Sequence, residues 1–304
     1  MSAARITAAV AAGALILAAA AHGAQPTEPP GFHQIETGPD GGTVLQGWIP
    51  DPVQPRFFRP TVVYLPPGYD PSRRYPVLYL LQGFPGSPYQ FVDGIDLPGY
   101  ADPRIAAGTL PPFVAVIPPA GIDAHHGDWT GVWESYLVDD VVPWADANLA
   151  TLDDRDGRVL AGLSAGGFGA VDIGLRHPEL FSTLEAWSGY FRPLRAGALV
   201  HADAAGLHAH DPSLLAVREA PLLHRLKTRF FLSSGTTHDR LTAAGTKAFS
   251  VELRTLGVPH RLWLGAGGHD GRLWRAQLPA ALAYALRVPL DSLAWTSSSP
   301  TSSD

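Results

Sequence analysis

Eight short apolar runs, each closed by turn residues and most of them continuous, set the strongest limit on how this 304-residue chain can fold. They are TVLQGWI (43–49), PTVVYLP (60–66), PVLYLLQG (76–83), FVAVIPPA (113–120), RVLAGLS (158–164), STLEAWSG (182–189), RFFLSSG (229–235) and HRLWLGA (260–266). A strand with one wet face alternates apolar and polar residues, whereas a run that is apolar throughout is buried on both faces, as in a parallel sheet. Between the runs lie helical patterns at 133–149, 165–181, 243–257 and 271–286; in the first, Tyr136, Leu137, Val141, Trp144 and Leu149 fall mostly on one face. Strands alternating with helices predict an α/β architecture, a mainly parallel, roughly eight-stranded sheet with helices on both faces. No repeat or linker interrupts residues 43–290, so one domain is expected there, after a Pro/Gly-rich segment at 25–42 and before a Ser/Thr-rich tail at 291–304 expected to be disordered.

Composition narrows the function. A net charge of −6 with no basic stripe argues against a nucleic-acid partner. With no cysteine, disulfides, a thiol nucleophile and Cys-ligated metal sites are excluded. The N-terminus has one Arg in MSAAR, the uncharged run ITAAVAAGALILAAAA, then small residues in AHGAQ. That order is the layout of a secretory signal peptide over 1–24, cleaved near Ala21 to Ala24, and predicts a secreted or extracytoplasmic protein with no membrane span once the signal is removed. An uncleaved anchor is the alternative, but the run is short for a span.

The chemistry-bearing candidate is Gly162-Leu163-Ser164-Ala165-Gly166, a G-x-S-x-G match. Alone it is a weak signal, and Ser164 then reads as a turn residue. Its context is a strand before it and a helix after it, which is what an exposed serine nucleophile requires. Such a hydroxyl needs a base, and the base an orienting acid. In open α/β sheets, sites lie at the carboxyl ends of strands. His269 sits there, in the glycine-rich loop GAGGHDG after the last strand; His260 begins that strand, at the wrong edge, and His177 lies late in the helix after Ser164. His201, His208, His210 and His224 fall in an irregular stretch. Of the carboxylates between Ser164 and His269, only Asp239 lies in a loop directly after a strand. Its alternative role is to cap the next helix. Backbone N–H groups of Ala165 and Phe84 are the candidate oxyanion donors.

These segments resemble the esterase family that includes the antigen 85 mycolyltransferases, S-formylglutathione hydrolase (esterase D) and enterochelin-esterase-like proteins. The resemblance runs from about Val62 to Leu286. It is carried in order by YLPPGYDPSRRYPVLYLLQG, GDWTGVWESYLVDDVVPWADANL, GLSAGGFGAVDIGLRHPELF, AWSGYF, SSGTTHDRL and GGHDGRLWRAQLPAAL. It implies an α/β-hydrolase fold and a Ser164–His269–Asp239 triad acting on a small-molecule or carbohydrate-linked ester with no metal or cofactor. One departure matters. The mycolyltransferases carry an Asp-Gly at the oxyanion loop and an Arg two residues beyond, whereas here the loop reads Gln82-Gly83-Phe84-Pro85. Ester hydrolysis is therefore expected ahead of acyl transfer to a sugar or lipid. A catalytically silent surface binding protein on the same fold is a third possibility.

Substrate-binding candidates are Gln82, Asp128, Trp129, Trp187, Tyr190 and Trp274. Tyr89 and Phe91 are pocket walls or core. His125, His126 and Asp128 have metal-ligand chemistry, but adjacent loop histidines diverge and the expected mechanism needs no metal. Residues 192–223 lack a period and are either an insertion over the site or a structural crossover. Sequence does not set the oligomeric state.

Overall fold

The computed structural model describes residues 28–50, 59–120, 129–237, 239 and 242–289. The expected signal segment, its cleavage zone and the tail from 291 lie outside these residues. So do His125, His126 and Asp128.

All eight apolar runs form strands, and a ninth precedes them. The strands are β1 Phe32–Thr37, β2 Thr43–Gly47, β3 Thr61–Leu65, β4 Val77–Leu81, β5 Val114–Ile117, β6 Arg158–Leu163, β7 Thr183–Trp187, β8 Arg229–Gly235 and β9 His260–Gly265. They make one sheet in the order β1-β2-β3-β5-β4-β6-β7-β8-β9. The first three strands join antiparallel, as does β3 to β5; from β5 to β9 every neighbouring pair is parallel. β1 falls in the segment expected to precede the domain, so the folded unit starts earlier than residue 43. Its sequence FHQIET buries only Phe32. An edge strand needs no apolar run, because one residue suffices to seat it; here Phe32 stacks on Trp144 at 4.6 Å between ring centroids.

Among the described residues eight α-helices surround the sheet: α1 Leu97–Ala106, α2 Val132–Ser135, α3 Val142–Asn148, α4 Ala165–Arg176, α5 Ala204–Ala209, α6 Pro212–Arg225, α7 Ala243–Thr255 and α8 Gly271–Ala285. The pattern at 133–149 is α2 and α3 joined by a π-helical turn at Tyr136–Val141. The inner parallel strands β4 to β7 are buried along their lengths, the edge strand β9 is only partly covered, and an apolar cluster lies on each face of the sheet. Burying a side chain such as Leu160 or Phe231 contributes about 1.5–3 kcal/mol each.

α1, α5 and α6 had no sequence signal, and α1 and α6 share a reason. α1 contains Pro98, Gly99 and Pro103, and α6 contains Pro212 and Pro221, so helix breakers mask both. Caps define them instead. Asp96 accepts the Gly99 N–H, and Asp211 accepts from Ser213 and Leu214. α6 buries Leu215, Ala216 and Leu223 and packs on α4, which makes 212–225 a crossover helix between β7 and β8.

Candidate active site

Ser164 occupies the turn between β6 and α4 with φ 55° and ψ −115°, a conformation that costs a non-glycine residue energy. The sequence explains how the turn closes. A Cβ on Gly166 would lie 2.0 Å from the Leu81 carbonyl oxygen, and one on Gly162 would lie 2.2 Å from the Gly166 oxygen. Only hydrogen fits at either flank, which is the physical content of G-x-S-x-G here. The Ser164 N–H donates to the Trp187 carbonyl at 2.8 Å, pinning the turn to the end of β7.

The hydroxyl has the expected partner. His269 Nε2 is 2.8 Å from Ser164 Oγ, and His269 Nδ1 is 3.2 Å from Asp239 Oδ1. A carboxylate only accepts, so Nδ1 donates to Asp239 and Nε2 is left to accept from the serine. His269 stands at the surface of the site with its side chain 32% exposed, while the Asp239 side chain is 1% exposed. Two strand-like bonds hold the acid and histidine loops together: Thr236 N–H donates to Gly265 O at 2.9 Å and Thr237 N–H to Gly267 O at 3.1 Å.

Asp239 is tied down further by residues the sequence reading did not single out. Its Oδ2 accepts from Ser234 Oγ at 3.1 Å and from the Gly235 N–H at 3.3 Å, and Ser234 Oγ is 3.1 Å from Thr242 Oγ1. Burial pushes the Asp239 pKa up, but the hydroxyls of Thr242 and the adjacent Ser188, together with His269, outweigh it and hold the carboxyl below its ordinary value. The available signal was the pair of small hydroxyl residues closing β8 in FFLSSG, just before the acid loop.

The oxyanion candidates flank the serine. Ala165 is the first residue of α4, so its N–H has no acceptor within the helix. The Phe84 loop lies against the turn, since a Cβ on Gly83 would sit 3.1 Å from Ser164 Cβ, and the Phe84 side chain is exposed. The Gly83 N–H is anchored by Gln90 Oε1 at 3.1 Å.

The substrate-binding candidates divide by burial. Trp274 is partly buried and meets the His269 ring edge-on, with centroids 5.3 Å apart. Tyr190 is partly buried and stacks on Phe168 at 4.8 Å. Gln82, Trp129 and Trp187 are instead enclosed, at 2%, 0% and 1% exposure, and serve as framework in place of the expected pocket wall. Trp129 Nε1 donates to the Gln82 carbonyl at 2.9 Å, Gln82 Nε2 donates to Gly86 O at 3.3 Å, and Trp187 Nε1 donates to Glu185 Oε2 at 2.9 Å. Large aromatics go to the interior because they bury the most apolar area. Phe91 is core, and the Tyr89 hydroxyl bonds Gln46.

Three of the histidines set aside on sequence grounds have structural partners. His177 Nε2 is 2.8 Å from Glu134, His210 Nδ1 is 2.7 Å from Asp172, and His260 Nε2 is 2.9 Å from Ser250 Oγ. Glu134 also accepts from Arg176 at 2.9 Å, so the Trp-Glu segment of α2 grips the far end of α4. Among the described residues no group of three or more His, Asp or Glu is arranged to hold a metal, and no helix is long and apolar enough to cross a membrane.

A family model described as "Putative esterase" matches residues 59–285. Two esterases of Mycobacterium tuberculosis, from strains CDC 1551 and H37Rv, are each 30% identical over 260 residues, covering 73% of this chain and 55% of the relative. The chain thus spans about half the length of these curated relatives. A bifunctional endo-1,4-beta-xylanase/feruloyl esterase of Xylanibacter ruminicola is 35% identical over 141 residues, 42% of this chain and 19% of that protein. Among solved structures, a ferulic acid esterase superposes with a TM-score of 0.70 at 24% identity, over 81% of this chain and 98% of that one. The S-formylglutathione hydrolase of Staphylococcus aureus gives 0.65 at 17% identity, over 84% and 99%. These superpositions establish the α/β-hydrolase fold.

Proposed function

The chain belongs to the esterase family, and from that premise we propose that it is an exported serine esterase that hydrolyses a carboxylic ester through an acyl-enzyme. The observation that carries this is the continuous hydrogen-bonded line from Ser164 through His269 to Asp239. Ser164 Oγ attacks the ester carbonyl as His269 Nε2 takes its proton. Asp239 holds the imidazole and stabilises the imidazolium. The N–H groups of Ala165 and Phe84 receive the negative charge that develops on the carbonyl oxygen. The proton then passes to the leaving alcohol. Water, activated by the same histidine, attacks the acyl-enzyme and frees the acid and Ser164.

The relatives named for feruloyl esters support a substrate whose acyl or alcohol part is an aromatic or carbohydrate-linked ester. Transfer to a sugar has less support, because Gln82-Gly83-Phe84-Pro85 offers no charged group beside Ser164. The reading of export rests on the signal-like order of residues 1–24. Hydrolysis of p-nitrophenyl acetate, butyrate and octanoate by the chain and by Ser164→Ala tests the proposal. Turnover confined to the unaltered protein supports it, and equal turnover by both removes Ser164 as nucleophile.

A further inference from the structure

The end of the sheet remote from Ser164 gathers positive charge. Asp154, Arg155 and Asp156 lie just before β6, while Arg225, Lys227 and Arg229 run from the end of α6 into β8. Arg287 follows α8, and together these side chains line a cleft of about 780 Å³. They sit where β6 begins and Ser164 where it ends, so the six residues of that strand put roughly 20 Å between the two sites.

Charge balance shows that the cluster is not self-compensated. Five cations line the cleft against two carboxylates, Asp154 and Asp156. Asp154 is engaged in capping the Gly157 N–H, and Asp156 approaches Arg155 only to 3.7 Å while 78% exposed. The carboxyl ends of α6 and α8 add about half a negative charge each. Five positive charges less two, less about one from the helix ends, leave a surplus of about two. Glu185 in β7 does not reduce it at neutral pH, because burial pushes its pKa up to about 8. Burial depresses the pKa of both Arg155 and Arg229; Asp156 opposes this at Arg155 and Tyr284 at Arg229, while the charge of Arg287 depresses both, as expected of neighbouring like charges. All this sits in a chain whose net charge is −6.

The geometry divides into a fixed floor and a free rim. The Arg155 guanidinium donates to Pro178 O, Leu226 O and Thr228 Oγ1 at 2.8, 2.9 and 2.7 Å. Arg229 donates to Thr183 Oγ1 and Tyr284 O and lies over the Tyr284 ring at 4.7 Å. Arg225, Lys227 and Arg287 are exposed, and among the described residues none of them makes an ion pair. Two of the three hold left-handed backbone just past a helix end, Lys227 at φ 54° after α6 and Arg287 at φ 59° after α8. Glycine is the usual occupant of that position, and α7 does end on Gly257 at φ 69°. At the two helix ends that border the cleft, the chain accepts backbone strain and places a long cation.

We propose that this cleft is a binding site for a multiply charged phosphate-type anion, separate from the esterase centre. A surplus of about two charges matches a dianion, whereas a single carboxylate would leave half of it uncompensated. Guanidinium forks and a free ammonium are the donors that recognise phosphate oxygens.

Calorimetric titration of the purified chain at low ionic strength, with inorganic phosphate, pyrophosphate and acetate in turn, tests this. Pyrophosphate is expected to bind more tightly than phosphate, acetate not at all, and added salt should weaken both bound anions. Phosphate binding as tightly as pyrophosphate would place a single phosphate group in the cleft and still support the proposal. In the double variant Lys227→Gly/Arg287→Gly the Kd for pyrophosphate should rise at least about tenfold, with p-nitrophenyl ester turnover unchanged. Glycine relieves the left-handed strain at both positions, so a thermal midpoint no lower than that of the parent chain separates lost binding from lost folding. Failure of the parent chain to bind pyrophosphate, equal binding by the double variant, or acetate binding as tightly as pyrophosphate would each overturn the proposal.

Discussion

The Nε2 of His269 stands 2.8 Å from the Oγ of Ser164, although 105 positions separate them in the chain. Groups that act as one unit fail together, so their losses do not add. Ser164→Ala and His269→Ala should each lower kcat for a p-nitrophenyl ester by about 10³-fold or more, and the double variant should be no worse than the poorer single one. Steady-state kinetics on the three proteins checks this. Additive losses would mean that the two side chains act independently.

Asp239 works through the histidine, so its replacement should change kcat far more than KM. Asp239→Asn keeps the shape but lets Nδ1 lose its acceptor, and a fall in kcat of about 10⁴-fold is expected. The same residue links stability to acid. Its folded pKa is depressed below the ordinary 3.8. It therefore contributes stability that is full above that ordinary value and is lost as pH falls through the folded one. Denaturant unfolding of the parent chain and Asp239→Asn between pH 2 and 6 should show a stability gap that narrows toward the acid end. A constant gap would show that the carboxylate charge does not contribute.

The sequence carried the parts of the site that depend on chain order and strand ends. Ser164, Asp239 and His269 each follow a strand's carboxyl end, and the apolar runs marked those ends. It did not carry what depends on burial. Trp129 and Trp187 looked like mouth residues because they neighbour the site in sequence, but an indole beside a parallel sheet is worth more inside the core. β1 escaped notice because only Phe32 is buried, and α6 because Pro212 and Pro221 hide its period. The hydroxyls closing β8 hinted at Ser234, but its bond to Asp239 and its contact with Thr242 depend on how the β8 end folds back on its own loop, which no spacing reveals.

The turn at Ser164 tolerates no side chain at its glycines. In Gly166→Ala the new methyl would meet backbone atoms of Leu81 at 2.0 and 2.5 Å, and backbone cannot swing aside as a side-chain tip can. A loss of about 1–3 kcal/mol or more, with displaced Ser164 and lost turnover, is expected. Gly94→Ala is the control. Nothing lies within 4 Å of the added carbon, so its stability should change by less than about 0.5 kcal/mol. Urea midpoints of both variants decide the matter, and similar midpoints would remove the steric account of the motif.

Glu185 supplies a pH dependence of opposite sign to that of Asp239. It is fully enclosed in β7 between β6 and β8, and burial pushes its pKa from 4.5 to about 8 despite the hydrogen bond from Trp187 Nε1. Below pH 4.5 the folded and unfolded chains both hold this proton. Between 4.5 and about 8 the unfolded chain releases it while the folded chain keeps it, so stability falls by about 1.4 kcal/mol per pH unit from this residue alone. Above that window the folded chain ionises too and the loss levels off. Glu185→Gln keeps an acceptor for Trp187 and has no proton to lose. It should match the parent chain near pH 4.5 and be the more stable protein at pH 8. Chemical unfolding of both across that range reads the difference directly, and parallel stability curves would mean that Glu185 ionises in the folded protein as it does in the unfolded chain.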